Sequence, residues 1–140
     1  MEYSPNDLKR LFLYIELNDG DVACGSRFIG NFERKNLYFR TYLANKILSK
    51  FFSFIHRQKV TDIATCLKVF KKEIFEFIEL KENGFSIEVE LLAKTLAKSK
   101  KYSEIPISYS ARSYEDGKKI KFIDGLRYIV VILKFSRQKK

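Results

Sequence analysis

Apolar positions recur along this chain at two spacings, and the switches between them mark out its elements. Leu8, Leu11, Phe12 and Ile15 follow one another at helical intervals. Ser4-Pro5-Asn6-Asp7 ahead of them is a helix start. It offers a capping hydroxyl, a proline whose missing N–H is tolerated in the first turn, and an acid beside the positive end of the helix dipole. Asn18-Asp19-Gly20 stops that helix, and Asp21-Val22-Ala23-Cys24-Gly25 predicts a short buried strand entering a loop at Gly25-Ser26-Arg27. From Leu37 to Ile55 the apolar residues, Phe39, Leu43, Ile47, Leu48 and Phe52 among them, again sit at near-helical spacing. Arg40, Lys46 and Lys50 fall beside that face, which reads as the most amphipathic segment of the chain.

The second half repeats the alternation. Val60-Thr61-Asp62 opens a loop, and Cys66 to Phe70 alternates as a strand. Lys72 to Ile78 predicts a short helix, Asn83-Gly84 a break, and Ile87 to Lys98 a longer helix carrying Leu91, Leu92 and Leu96. Ser103 to Ser110 alternates through Ile105, Ile107 and Tyr109, and Pro106 within it favours a sheet edge because it lacks an N–H to donate. Asp116-Gly117 turns the chain, and Ile120 to Phe135 is a final apolar and basic helix or strand. Helices alternating with about three strands predict an α/β arrangement in one unit, without internal repeats or a Gly/Ser/Pro-rich linker.

Composition narrows this picture. The 140 residues are 46% hydrophobic and 15% aromatic, too apolar for a disordered basic tail. Two cysteines make no disulfide framework, and Cys24 and Cys66 lack metal-ligand spacing, which favours a reducing, cytoplasmic setting. No apolar run approaches the ~18–20 residues of a membrane span, and the N-terminus reads as no signal peptide. The net charge is +10, carried by two segments: residues 27–59 hold 8 basic and 1 acidic residue, and residues 99–140 hold 11 and 4. Such a balance points to phosphate groups on nucleic acid, lipid or substrate. No helix-turn-helix, zinc or RNA-binding aromatic motif favours nucleic acid.

Candidate chemistry is sparse. His56 beside Arg57 reads as a surface residue, Cys66 as a small buried strand residue, and Glu88 and Glu90 as acids on different faces serving a helix N-terminus. Gly25-Ser26-Arg27 offers exposed backbone N–H groups and a guanidinium suited to phosphate. Arg112 with Gly117-Lys118-Lys119 places three cations about a turn, and Asp62 is one acid in a loop after the basic helix. Together these describe a phosphate-binding cleft with one carboxylate in it.

The order of Asp21-Val22-Ala23-Cys24-Gly25-Ser26-Arg27-Phe28, Ala44-Asn45-Lys46, and Thr61 through Phe70 resembles a known pattern. It continues with Phe85 through Leu91, Ile105-Pro106-Ile107-Ser108-Tyr109 and Arg112 through Ile120. The series resembles the C-terminal half of glycosyltransferase family 2 enzymes of the dolichol-phosphate mannosyltransferase type, across residues 1–140. The resemblance implies the C-terminal part of a GT-A fold, a mixed sheet flanked by helices, that moves a sugar from a nucleotide donor to a polyprenyl phosphate with inversion. It implies Asp62 as the catalytic acidic residue, orienting an acceptor phosphate that is already ionised. Arg27, Arg112 and Lys118, with Ser26 and Lys119, would hold donor or acceptor phosphates. A helix over about 37–56 would lie on the cytoplasmic face of a membrane and guide the lipid.

The family's Asp-x-Asp metal motif is absent, and Glu2 matches only its accessory position. Mg2+ or Mn2+ is therefore expected for the complete enzyme and not for these residues alone. The expectation is a truncated or split form, inactive without an N-terminal half in trans and prone to self-association through an uncovered apolar face. A non-enzymatic module that binds a membrane surface or a partner is the alternative.

Overall fold

The computed structural model describes residues 2–31, 34–35, 38–76, 78–110 and 122–136. The chain begins with α1 (Pro5–Asn18), β1 (Val22–Ser26), β2 (Arg34–Lys35) and α2 (Phe39–His56). It continues through β3 (Lys68–Phe70), α3 (Lys72–Phe75), α4 (Ser86–Lys98), β4 (Tyr102–Pro106), β5 (Tyr109–Ser110) and α5 (Phe122–Lys134). One sheet has the order β3-β1-β4, with β1 antiparallel to β3 and parallel to β4; β2 and β5 form a separate parallel pair. The mixed α/β expectation holds.

The period-two alternation of β1 divides the core. Val22 and Cys24 face a cluster built from Leu48 and Phe52 of α2, Val89 and Leu92 of α4, and Val131 and Ile132 of α5. Ala23 faces the other way, onto Leu11 and Ile15 of α1 and Ile107. Helices thus cover both sides of the sheet, and all five residues of β1 are buried. Burial also pushes the Cys24 thiol up to about 12, so it is an inert core group.

Helix α1 starts and stops as its sequence predicts. The Ser4 side chain accepts from Asn6 N, and Asp19 closes the helix in a left-handed conformation (φ 50°) with its N–H on Ile15 O. Asp7 does more than complement the dipole: its Oδ2 accepts from Ser108 N at 3.1 Å and from the Ser108 hydroxyl at 2.8 Å. That claim on the Ser108 N–H explains one departure from expectation. The strand predicted over Ser103–Ser110 breaks after Pro106, and Tyr109–Ser110 pairs instead with Arg34–Lys35, a strand that residue pattern alone did not suggest. Pro106 lies on β4, an edge of the three-stranded sheet, as its missing donor requires.

Other readings are corrected. Cys66 is exposed in the loop before β3. His56 is buried: its ring stacks on Phe52 at 4.1 Å between centroids, and Nε2 lies 3.2 Å from Ile132 O, joining the end of α2 to α5. Its i,i+4 spacing from Phe52 placed it on the inner face, which the adjacent Arg57 concealed. The helix predicted over 72–78 ends at Phe75. Helix α2 is not the most amphipathic element; α5 segregates its apolar positions more sharply. The reason is that α2 is apolar on two sides, with Leu48 and Phe52 in the core and Phe39, Leu43, Ile47 and Phe54 facing outward. Among the described residues no helix is long and apolar enough to cross a membrane.

Candidate functional site

The site forms where the carboxyl end of β1 meets the loop between α2 and β3. Ser26 ends β1, and its hydroxyl lies 2.6 Å from that of Thr61. Arg27 follows, and Asp62 grips it at three points. Asp62 Oδ2 accepts from Arg27 Nε at 2.7 Å and from its backbone N–H at 3.0 Å, while Oδ1 accepts from Nη2 at 2.7 Å. Both residues are buried, Arg27 with 6% of its surface exposed and Asp62 with none. Burial opposes the charge on Arg27, but hydrogen bonding and attraction to Asp62 outweigh it and hold the guanidinium firmly protonated. A two-pronged guanidinium–carboxylate pair fixes orientation as well as charge.

This geometry revises the picture of Gly25-Ser26-Arg27 as a run of exposed donors. Gly25 N donates to Leu67 O at 2.8 Å and Arg27 N to Asp62, so both are already committed. Close packing here also explains the glycine: a Cβ on residue 25 would lie 2.6 Å from Cδ1 and 3.0 Å from Cγ2 of Ile107.

Aromatic rings surround the guanidinium. Its carbon lies 4.8 Å from the Tyr109 ring centroid and 5.4 Å from that of Phe28, and Tyr109 packs on Tyr3 at 5.2 Å. The loop beneath is held by Glu104 of β4. Its carboxylate accepts from Thr61 N at 2.8 and 3.0 Å and from Asp62 N at 3.2 Å. Burial raises the Glu104 carboxyl above its usual range despite these bonds. Neither Glu104 nor Tyr109 had been singled out as a functional residue. The available signal is a carboxylate beside Ile105 in a half-buried apolar strand, a position that favours partners.

Of the residues expected at the site, the structure brings Ser26, Arg27 and Asp62 together. Arg112, Lys118 and Lys119 lie outside the described residues. Glu2 sits near β5, its carbonyl accepting from Ser110 N at 3.0 Å. Among the described residues no three His, Cys, Asp or Glu side chains gather to hold a metal ion. Glu88 lies in the first turn of α4, as expected, and also pairs with Lys68, whereas Glu90 does not serve the helix start: it accepts from the backbone of Lys81 and Glu82. An apolar groove of about 400 Å3 runs between α2 and α5, lined by Ala44, Ile47, Leu48, Leu126, Tyr128 and Ile129.

The described residues thus combine a sheet flanked by helices, an arginine–carboxylate pair at a strand end and an apolar groove between α2 and α5. No family model matches the chain. Similar proteins are nonetheless found among glycosyltransferases. The low-salt glycan biosynthesis hexosyltransferase Agl6 of Haloferax volcanii is 26% identical over 132 residues, 94% of this chain and 32% of the relative. The dolichol-phosphate mannosyltransferase of Pyrococcus furiosus is 30% identical over 144 residues, 97% of this chain and 39% of the relative. The glycosyltransferase AglJ of Haloferax volcanii is 31% identical over 70 residues, half of this chain and 23% of the relative. The chain is thus similar to one part of these glycosyltransferases, and it spans less than two fifths of the length of each.

Proposed function

We propose that these residues form the acceptor side of a site that transfers a sugar from a nucleotide sugar to a polyprenyl phosphate. The observation that carries the reading is the buried Arg27–Asp62 pair at the end of β1, in a chain related to a dolichol-phosphate mannosyltransferase. A phosphate monoester is already anionic near neutral pH, so the site needs to hold and aim it more than to deprotonate it. Arg27, held in one orientation and largely neutralised by Asp62, would help position the acceptor phosphate rather than supply net positive charge. Asp62 and Glu104 together outweigh that single guanidinium. Arg112, Lys118 and Lys119 are the further cations that would offset the phosphates.

The groove between α2 and α5 fits an isoprenoid chain in its apolar character. The outward Phe39, Leu43, Ile47 and Phe54 of α2, with Arg40 and Lys50, suit the cytoplasmic surface of a membrane. Nucleotide-sugar binding falls to a donor-binding segment supplied alongside these residues, in the same polypeptide or in trans. The family's divalent cation would polarise the leaving diphosphate. The described carboxylates do not gather around Glu2 to hold it, so no step is routed through the metal here.

The test is transfer of radiolabel from a panel of nucleotide sugars to dolichyl phosphate in liposomes, with the chain and a donor-binding segment present together. Asp62→Asn and Asp62→Glu are compared with the unchanged protein, with circular dichroism as the check on folding. Loss of about 100-fold or more in folded Asp62→Asn is the expected outcome. Full transfer by that variant, or no transfer by the unchanged assembly with any donor, overturns the reading.

A further inference from the structure

A second cationic feature lies on the other side of Phe28. A cavity of about 320 Å3 is lined by Lys46, Lys50 and Lys59 together with Ser49, Ser53 and Thr61. The helix and the turn after it create this convergence. Lys46 and Lys50 are four apart on α2 and so lie one turn above each other. Arg57 then adopts a left-handed conformation (φ 52°), and the chain doubles back. The Ser53 hydroxyl fastens the return: it accepts from Val60 N at 2.9 Å and lies 3.0 Å from Val60 O. Lys59 is thereby carried over the same face as the two helix lysines.

Like charges one turn apart on a helix are unfavourable, and a third cation folded onto them adds to the cost. Elsewhere the chain compensates such charges: Lys68 pairs with Glu88, Lys71 with Asp19, Lys94 with Glu90 and Lys134 with Glu82. Among the described residues no carboxylate lines this cavity. The cation–π contact of Lys46 over Tyr42 at 5.2 Å turns no opposite charge toward it.

The cavity is also separate from the Arg27 guanidinium. Phe28 and Tyr42 meet edge to face at 5.3 Å, with Arg27 against the first ring and Lys46 against the second. On one side of this aromatic pair the positive charge is neutralised by Asp62; on the other it is not.

We propose that Lys46, Lys50 and Lys59 form a binding site for a phosphate-monoester anion, distinct from the Arg27–Asp62 site. The anion is either free phosphate or the headgroup of a membrane lipid. This inference does not depend on glycosyl transfer, and its test needs no catalysis.

The experiment compares the unchanged chain with Lys46→Ala/Lys50→Ala/Lys59→Ala. A control, Lys9→Ala/Lys72→Ala/Lys100→Ala, removes the same charge from exposed positions elsewhere. Binding of inorganic phosphate is read by calorimetry, and binding to phosphatidic acid or phosphatidylcholine vesicles by co-sedimentation, at low and high salt. The expected result is at least tenfold weaker binding to phosphate, to phosphatidic acid vesicles, or to both, in the first variant only, with salt eroding it. Binding of phosphate in solution assigns a free-phosphate site, and binding to phosphatidic acid vesicles alone assigns a lipid headgroup. Equal loss in both variants shows only bulk charge and overturns the proposal, as does an absence of binding to either probe.

Discussion

Two carboxylates in this molecule perform the same backbone task in different company. Glu90 reaches from α4 to Lys81 N at 2.9 Å and Glu82 N at 2.7 Å; Glu104 reaches from β4 to Thr61 N and Asp62 N. Each grips two consecutive N–H groups of an irregular segment, yet their carboxyl groups shift in opposite directions. Burial pushes Glu90 up, but bonds from Lys94 and from the backbone of Glu82 and Lys81 outweigh it, and the net shift is down. Burial dominates at Glu104, and the shift is up. The difference is one cation: among the described residues no lysine or arginine pairs with Glu104, while the nearby guanidinium is committed to Asp62. The clamp remote from the site is electrically closed. The one beneath Asp62 has no cation to close it among the described residues.

The comparison can be broken most directly at Glu90. Replacing Glu90 with Ala takes the carboxylate from Lys94 and leaves two N–H groups without their acceptor, and should cost about 3–5 kcal/mol in urea unfolding. Glu104→Gln keeps the shape but turns an amide donor toward N–H groups, and should cost less, about 1–3 kcal/mol. A larger loss at Glu104 than at Glu90 would remove the asymmetry. The smallest effect lies in pH dependence and sharpens the contrast by its sign. The contribution of Glu90, with its lowered pKa, is complete above the ordinary value of 4.5 and fades as pH falls through the shifted one. Glu104, with its raised pKa, works the other way: its ionisation weakens folding as pH rises from 4.5 through the shifted value. Denaturation midpoints of Glu90→Gln and Glu104→Gln, each set against the unchanged chain across pH, should therefore diverge in opposite directions.

Local signals were legible where local chemistry decided the outcome. Ser4-Pro5, Asn18-Asp19-Gly20 and Pro106 each act within a turn or a strand edge, and each stands as its residue type dictates. Arg27 and Asp62 could be marked as candidates by charge alone. That they bond to each other could not be read, because the contact joins positions 35 apart through a loop of irregular backbone. For the same reason the role of Glu104 is not legible locally: its partners lie 43 and 42 positions away in the chain. His56 is buried because its helical spacing from Phe52 turns it inward, whatever the charge of its neighbour Arg57.

The parallel pairing of β1 with β4 also bears on how the chain reaches this state. Val22 finds Tyr102 across most of the polypeptide, and Phe70 across the middle of it. Such remote partners oblige the chain to close long loops before any ladder bond repays the lost entropy. Ser26, Thr61, Asp62 and Glu104 come from the segments brought together by that closure. A chain that has not yet delivered β4 lacks the Glu104 carboxylate that holds Thr61 and Asp62, so the site is complete only once that closure is made.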